Sequence, residues 1–541
     1  MCFKNTNARD PQTTRVWLVG GGIASLAAAV FLIKDAQVPG HNIHVLERDT
    51  KIGGGTTLDG DPEHGFVLYP GNLPYFHDRC VKYLLSLVPS AQGAEETLLD
   101  KSRGFASTES PPVISGPGTR LLRSTSDSKI CDTGHLHIGP LNRLQLLKLL
   151  LESEGLLGGH RIEEFFGEEF FATGFWILWS TTFGLRPWHS AIEFQRYLRK
   201  HLADIRTLHE SRKLDRTRFS LFESVVLPVS EYLNSEGVDF HFNVSVVSIN
   251  MRLNNDTAGE PTTISELILR ECGHMKSVTF NPNDLAIVTV GSINSGTKIG
   301  TNSEPPPHHA DPDDFIYDDW SLWFDLAGKS AKFGSPLHFN SNIRESSVVT
   351  FTVTFSDSNF LSMYQSRTNN VPGAGAILSL PDSNWILSIS VPHQPVFPNQ
   401  PPNVDVIWGY GLRPEKMGNV IDKPMIHCTG EDIMKELLFH LGFPGEEIFN
   451  QSITVPCFSP LATSAILPRD RIDRPEVIPP NTTNIGLIGQ FTEVPNETTL
   501  TVEYSVRSAQ LAVYTLMGLK KSPPKVKRNI LVDILDLLGE C

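Results

Sequence analysis

Residues 16–19, VWLV, are four apolar positions in unbroken succession, the pattern of a short strand buried on both faces. Gly20-Gly21-Gly22 follows at once and leads into the alanine-rich run Ile23–Lys34, which predicts a buried helix. After Pro39-Gly40 a second apolar run, Ile43–Leu46, ends at Glu47. The order is therefore strand, glycine turn, helix, strand, acid. Val16–Ile33 is only marginally long enough to span a bilayer, and three glycines interrupt it, so no transmembrane helix is expected. Further on, VDFHFNVSVVSI (238–249) alternates like one half-exposed strand, and DLAIVTVGS (284–292) reads as a buried strand ending in a turn. Ile485–Ile488 is a third buried strand, followed by Gly489-Gln490 and a helix from about Val502.

This arrangement has the chemistry of a dinucleotide site. Gly20 permits the tight turn, and Gly22 leaves room for a pyrophosphate to approach the backbone. Ile23 and Ala24 open the helix, whose first N–H groups and positive dipole end suit an anion. Ser25 takes the third glycine position of the fingerprint and is small enough for close packing of helix on strand. Glu47, with Arg48 beside it, is placed to accept from ribose hydroxyls. Gly54, Gly71, Val246, Gly291, Ser292, Gly489 and Gln490 complete the expected cofactor contacts. A long chain with a second glycine-rich turn near its end favours FAD over NAD, with the binding domain assembled from three separate segments.

Composition narrows the class without changing it. A chain of 541 residues suggests roughly two to four domains. A net charge of −14 argues against a nucleic-acid partner. The seven scattered cysteines form no CxxC pair, which supports neither a disulfide framework nor a zinc site, and no metal ligands are expected. They suit a reducing, cytoplasmic setting, and the polar N-terminus does not resemble a secretory signal.

Several longer segments point to a family. They include FWILWSTTFGLRPWHSAIEFQRYL (175–198), SVVLPVSEYLNSEGVDFHFN (224–243) and DDWSLWFDLAGKS (318–330). VIWGYGLRPEKMGNVIDKPMIHCTGEDIMKELLFHLGF (406–443) and IGQFTEVPNETTLTVEYSVRSAQLAVYTLMG (488–518) continue in the same order. The chain resembles the FAD-dependent oleate hydratases, also called myosin-cross-reactive antigens. The resemblance implies an FAD-binding protein that adds water to an isolated double bond of an unsaturated fatty acid, giving a hydroxy fatty acid. In that reaction FAD takes no net electrons. The family's base is a glutamate in a motif like R-G-G-R-E-M-E-N-H-F-E-C, which aligns without a gap with YPGNLPYFHDRC (69–80). Tyr69 and Asn72 then stand for the two arginines, Leu73 stands for the glutamate, and His77 and Cys80 are retained. The family's proton-donating tyrosine belongs in the FW…W segment, where this chain has Ile177 and Leu178. Tyr75, His77, Thr181 and Thr182 are the substitutes within reach of the sequence.

The resulting expectation is an α/β fold: a Rossmann-type FAD-binding domain in discontinuous segments, an inserted α+β substrate domain and a helical C-terminal part. The boundaries are a flexible N-terminus (1–14), cofactor segments at 15–70, 221–300 and 479–519, a mainly helical substrate or lid region at 71–220 and a substrate domain at 301–478. Residues 520–541 combine KKSPPKVKR with an apolar helical face, suited to a peripheral membrane contact or to docking on protein. A homodimer is compatible with the latter.

Other residues carry two readings each. Phe175, Trp179 and Phe183 recur one helical turn apart and fit core packing better than an acyl tunnel. His189 and Glu193 have the spacing of a helical pair. Glu503 and Arg507 fit either a surface pair or a tie within the cofactor domain, and Cys457 and Thr463 either a tunnel lining or plain packing. Three functions stay open beside efficient hydration: a catalytically weak FAD- and lipid-binding protein, a double-bond isomerase, and a redox flavoenzyme on another lipophilic substrate.

Overall fold

A computed structural model of the chain describes residues 9–56, 59–69, 71, 72, 75, 76, 78–91, 95–108, 119–123, 138–202, 215–254, 260–307, 318–374 and 377–526. At its centre lies a parallel sheet of five strands. These are β1 (Val16–Val19), β2 (Ile43–Leu46), β4 (Asp239–His241), β8 (Leu285–Thr289) and β15 (Ile485–Ile488). Their order is β15-β8-β1-β2-β4, every neighbour running parallel. The continuous apolar runs form these strands because both faces are covered. Val16, Leu18, Val45, Leu285 and Ile287 pack on one side with helices α1 (Ile23–Lys34) and α6 (Val502–Leu516). Trp17, Val19, Leu46, Ala286 and Val288 pack on the other. The period of two assigns alternate residues to the two layers.

The second layer is a three-stranded antiparallel sheet, β7 (His274–Thr279), β6 (Glu260–Glu271) and β5 (Val244–Asn254), with helix α5 (Asp318–Lys329) beside it. The single alternating strand expected over 238–249 is in fact two. Asn243 takes a left-handed φ of 58°, a region asparagine tolerates. The chain leaves the parallel sheet there and enters the antiparallel one.

A six-stranded antiparallel sheet forms the second large body. Its order is β9 (Lys298–Ile299), β14 (Ser452–Ser459), β10 (Val348–Phe355), β13 (Asp405–Gly411), β12 (Leu387–Ser390), β11 (Ile377–Leu380). The strand β3 (Gly65–Val67) runs against it, with Phe66 and Leu68 N–H groups donating to the Thr354 and Thr352 hydroxyls. Helices α3 (Gly174–Phe183) and α4 (Ala191–His201) build a third core with Phe166, Phe170 and Leu185.

Two expected boundaries shift. Trp320, Trp323 and Phe339 lie before residue 340 but pack under the parallel sheet with Phe491, so α5 belongs to the cofactor side and not to the substrate domain at 301–478. Helix α2 (Arg79–Leu87) likewise leaves the helical region at 71–220 and buries Cys80, Leu84 and Leu85 in the core around α1. The apolar face of α5 settles under the second layer, while that of α2 settles on helices α1 and α6. Val16–Ile33 divides into β1, the turn and most of α1, and no helix among the described residues is long and apolar enough to cross a membrane. Of the 520–541 segment, residues through 526 are described: Lys521 pairs with Asp35 at 2.7 Å. The apolar helix expected beyond them lies outside the described residues.

Candidate functional site

The C-terminal ends of β1, β2, β8 and β15 converge on one cleft. β1 ends at Gly20, whose φ of 94° suits glycine and few other residues. Gly20 N–H donates to the Leu46 carbonyl, which fixes the turn against the end of β2. Gly21 is hemmed in, since a side chain there would meet Ile52 at 2.5 Å and Glu47 at 2.7 Å. Gly22 differs, because a side chain there would find nothing within 4 Å.

Gly22 is also the N-cap of α1. It supplies no capping side chain, and the first turn carries no acid. The first helical bond runs from Leu26 N–H to the Gly22 carbonyl, so the Ile23, Ala24 and Ser25 N–H groups precede it. An uncapped helix start beside open space has N–H groups and a dipole end that can accept an anion. Ser25 is fully buried, and its hydroxyl meets that of Thr289 at 3.2 Å, holding α1 against the end of β8.

Glu47 closes the other side of the turn. Its carboxylate accepts from Gly21 N–H at 2.6 Å and Asp49 N–H at 2.9 Å. Burial raises its pKa above the usual carboxylate range, and the two N–H donors oppose that shift. Arg48 points outward beside Asp49, 3.4 Å away. Gly54 lies across the loop, where a side chain would come 3.4 Å from the Gly22 Cα. Asn294, just past Gly291 and Ser292, donates to the Gly55 carbonyl at 2.9 Å and ties the β8 turn to this loop. Val246 is buried in β5 within the second layer.

At β15 the turn is Gly489, with φ of 101°, and its N–H donates to the Ser508 hydroxyl. The Gln490 amide donates to the Thr501 carbonyl and the Ser505 hydroxyl and accepts from Leu500 N–H. That side chain holds its own loop, which leaves only its backbone for a ligand.

Gly71 and Asn72 continue the chain from β3. Gly71 has φ of 91° and open space where a side chain would be. Asn72 is fully buried, yet neither polar atom of its amide has a hydrogen-bond partner. Leaving such a group unsatisfied costs about 1–3 kcal/mol. Leu73 and His77 lie outside the described residues, and Tyr75 is placed in the short strand Tyr75–Phe76, paired with Arg216 and Asp215.

The two threonines sit on α3. Thr181 donates to the Ile177 carbonyl at 2.8 Å, and Thr182 donates to the Leu178 carbonyl at 2.6 Å while accepting from Arg120 at 3.0 Å. Both protons go to helix carbonyls, and an aliphatic hydroxyl is in any case a far poorer acid than a phenol. A residue that pattern reading passes over stands beside them: Tyr410, on β13, donates its hydroxyl to the Thr181 carbonyl. It packs in one apolar cluster with Phe66 and Leu68, which lead into the loop of Leu73. Burial pushes the Tyr410 phenol up and keeps it protonated, with nearby Arg120 opposing.

The paired readings resolve by partner. Phe175, Trp179 and Phe183 stack in succession, at 5.4 and 5.0 Å between rings, inside the helical core. His189 does not meet Glu193; its Nδ1 accepts from Arg186 N–H, and burial with Arg186 nearby lowers its pKa well below the usual value. Glu503 is buried, bonding Arg507 at 2.8 Å and accepting from Cys80 and Val81 N–H at the start of α2. Cys457 is buried on β14, and burial pushes its thiol up to about 12. Thr463 accepts from Arg186 and donates to the Ser346 carbonyl.

Known proteins resemble this chain over most of its length. The chain is 33% identical to the oleate hydratase of Streptococcus pyogenes serotype M49 (strain NZ131), covering 96% of this chain and 88% of that protein. It is 28% identical to the linoleate hydratase of Lactiplantibacillus plantarum, covering 93% of each. Among solved structures, cyclohexylamine oxidase from Brevibacterium oxydans IH-35A shares the fold, with a TM-score of 0.53 at 11% identity, over 93% of this chain and 98% of that one. The MCRA family matches residues 13–514, and the chain belongs to that family.

Proposed function

We propose that this protein is an FAD-dependent fatty acid hydratase, adding water across an isolated double bond of a long unsaturated acyl chain. The observation that carries this reading is the 33% identity to an oleate hydratase over nearly the full chain. The cleft suits FAD. The uncapped start of α1 beside open Gly22 would hold the pyrophosphate, Glu47 the ribose, and the unpartnered Asn72 amide a polar edge of the bound group. FAD held there would shape and polarise the site without taking net electrons.

Hydration forms a C–H bond at one alkene carbon from a donated proton and a C–O bond at the other from water, which then loses a proton. Leu73 stands at the family's base position and cannot accept that proton. Of this loop's groups His77, four residues on, has an imidazole able to take it, whereas Tyr75 is a phenol and the one carboxylate, Asp78, is paired with Lys200 at 3.0 Å. For the donor we favour Tyr410, a protonated phenol one turn of α3 away from Ile177, where the family's tyrosine is expected. Tyr410→Phe is expected to lower kcat about 10²–10³-fold with FAD content unchanged; an unchanged kcat would remove Tyr410 from the mechanism.

The function itself is tested with oleic and linoleic acids and FAD-loaded protein in ¹⁸O-water, followed by mass spectrometry. A labelled hydroxy acid that disappears when FAD is omitted is the expected product. Tight FAD binding without any product would refute hydration and favour the lipid-binding reading.

A further inference from the structure

We propose that the edge of the parallel sheet carries a binding site for a divalent transition-metal ion, made by His44, Asp239 and His241. The register sets Trp17, His44 and Asp239 side by side across β1, β2 and β4, and His241 follows two residues after Asp239 on the same face. One carboxylate oxygen, Asp239 Oδ2, lies 3.1 Å from His44 Nδ1 and 2.9 Å from His241 Nε2. The three ligand atoms lie within 4.8 Å of one another. Adjacent ligands of an ion with bonds of about 2.1 Å stand roughly 3.0–3.4 Å apart, so small side-chain rotations admit the ion.

The state of the nitrogens favours a metal over a simple hydrogen-bonded triad. His241 Nε2 is buried as an atom and, although close to Asp239, makes no hydrogen bond. Trp17 stacks on His44 at 4.2 Å and fixes the ring's plane. The site is reachable: the side chains of His44, Asp239 and His241 are 18%, 51% and 35% exposed. Two imidazoles and a carboxylate with open positions suit zinc or copper better than magnesium or calcium. Arg15 also faces His44, but Asp284 holds its guanidinium at 2.5 Å.

His44 and Asp239 stand 195 residues apart in sequence, and the ion would pin β4 to β2. The His241 carbonyl already accepts from Glu47 N–H at 2.8 Å, so the pinned strand borders the residue placed at the ribose.

The test uses tag-free protein carrying Cys272→Ser, which removes an exposed thiol. Calorimetric titration with Zn²⁺ is expected to show one site per chain, weakened at least about tenfold by His44→Ala and by His241→Ala. Cu²⁺ is expected to quench a share of the tryptophan emission that Trp17→Phe removes, since Trp17 is the indole against the site. Saturating Zn²⁺ is expected to raise the unfolding temperature of the parent and of neither histidine variant. No Zn²⁺ uptake, or uptake that both histidine variants retain, would overturn the site.

Discussion

Gly22→Val is expected to abolish FAD retention while leaving the apoprotein close to its original stability. Gly22 adopts φ −77° and ψ 175°, a conformation open to any residue, and no atom lies within 4 Å of the added Cβ. The protein itself therefore has no steric objection, and the cost to folding is limited to the weak N-cap preference of valine, about 1 kcal/mol. The valine would instead fill the space ahead of the Ile23 and Ala24 N–H groups, where a pyrophosphate must sit. Loss of that anion contact should weaken FAD by at least about 100-fold, close to 3 kcal/mol. The flavin absorbance of the purified variant and a fluorescence titration read the affinity, and the urea midpoint of the apoprotein reads the fold. Gly20→Val would not separate the two, because φ of 94° strains valine whatever the ligand does. A yellow Gly22→Val protein with parental FAD affinity would mean the cofactor lies elsewhere.

The cofactor cleft was legible because its signals are local. The run from Val16 to Glu47 contains a strand, a turn, a helix and a strand in sequence, and each element forms for reasons within its own few residues. The buried strands at Leu285–Thr289 and Ile485–Ile488 were readable on the same ground. What escaped depends on distant segments. The break at Asn243 is a single residue inside an otherwise regular alternation, and only the competing edges of two sheets make it a boundary. His189 and Glu193 have a spacing that permits pairing, but residues 345, 469 and 474 offer each a better partner. Tyr410 lies inside a strand whose alternation predicts burial, and nothing near it in sequence reveals α3 beside it. The Gln490 amide is held by Thr499, Leu500, Thr501 and Ser505, partners that the glycine pattern at 489 does not reveal. The histidines at 44 and 241 carry no motif spacing at all, since the parallel pairing of β2 with β4 brings them together.

Glu193→Leu is expected to destabilise the protein by about 3–5 kcal/mol, the range for removing one partner of a buried ion pair. Glu193 is fully buried on α4, accepts from Arg469 at 2.8 Å and lies 3.0 Å from Arg474, both arginines themselves buried. Arg469 also reaches Glu493 at 3.1 Å, Arg196 reaches Glu493 at 2.6 Å, and Arg196 reaches Glu154 at 2.8 Å. Three guanidiniums thus face three carboxylates, and they join α4 to the loop that follows β15. Removing Glu193 leaves one positive charge uncompensated out of water. Glu154→Gln gives the contrast: Glu154 is 23% exposed, water can replace it, and a loss of about 1 kcal/mol or less is expected. The same network sets the acid limit of the fold. Burial alone would raise the Glu493 pKa, but Arg196, Arg469 and Arg474 outweigh it and hold it down at about 2. A carboxyl depressed on folding contributes stability that is full above its unfolded pKa, about 4.3, and is lost as pH falls toward 2. Urea midpoints measured from pH 7 to pH 3 should therefore fall steeply below about pH 4.3 in the parent. In Glu193→Leu the midpoint should start lower at every pH. A Glu193→Leu unfolding free energy within about 1 kcal/mol of the parent at pH 7 would show that α4 is held by its apolar face alone, with the ion network a passenger on it.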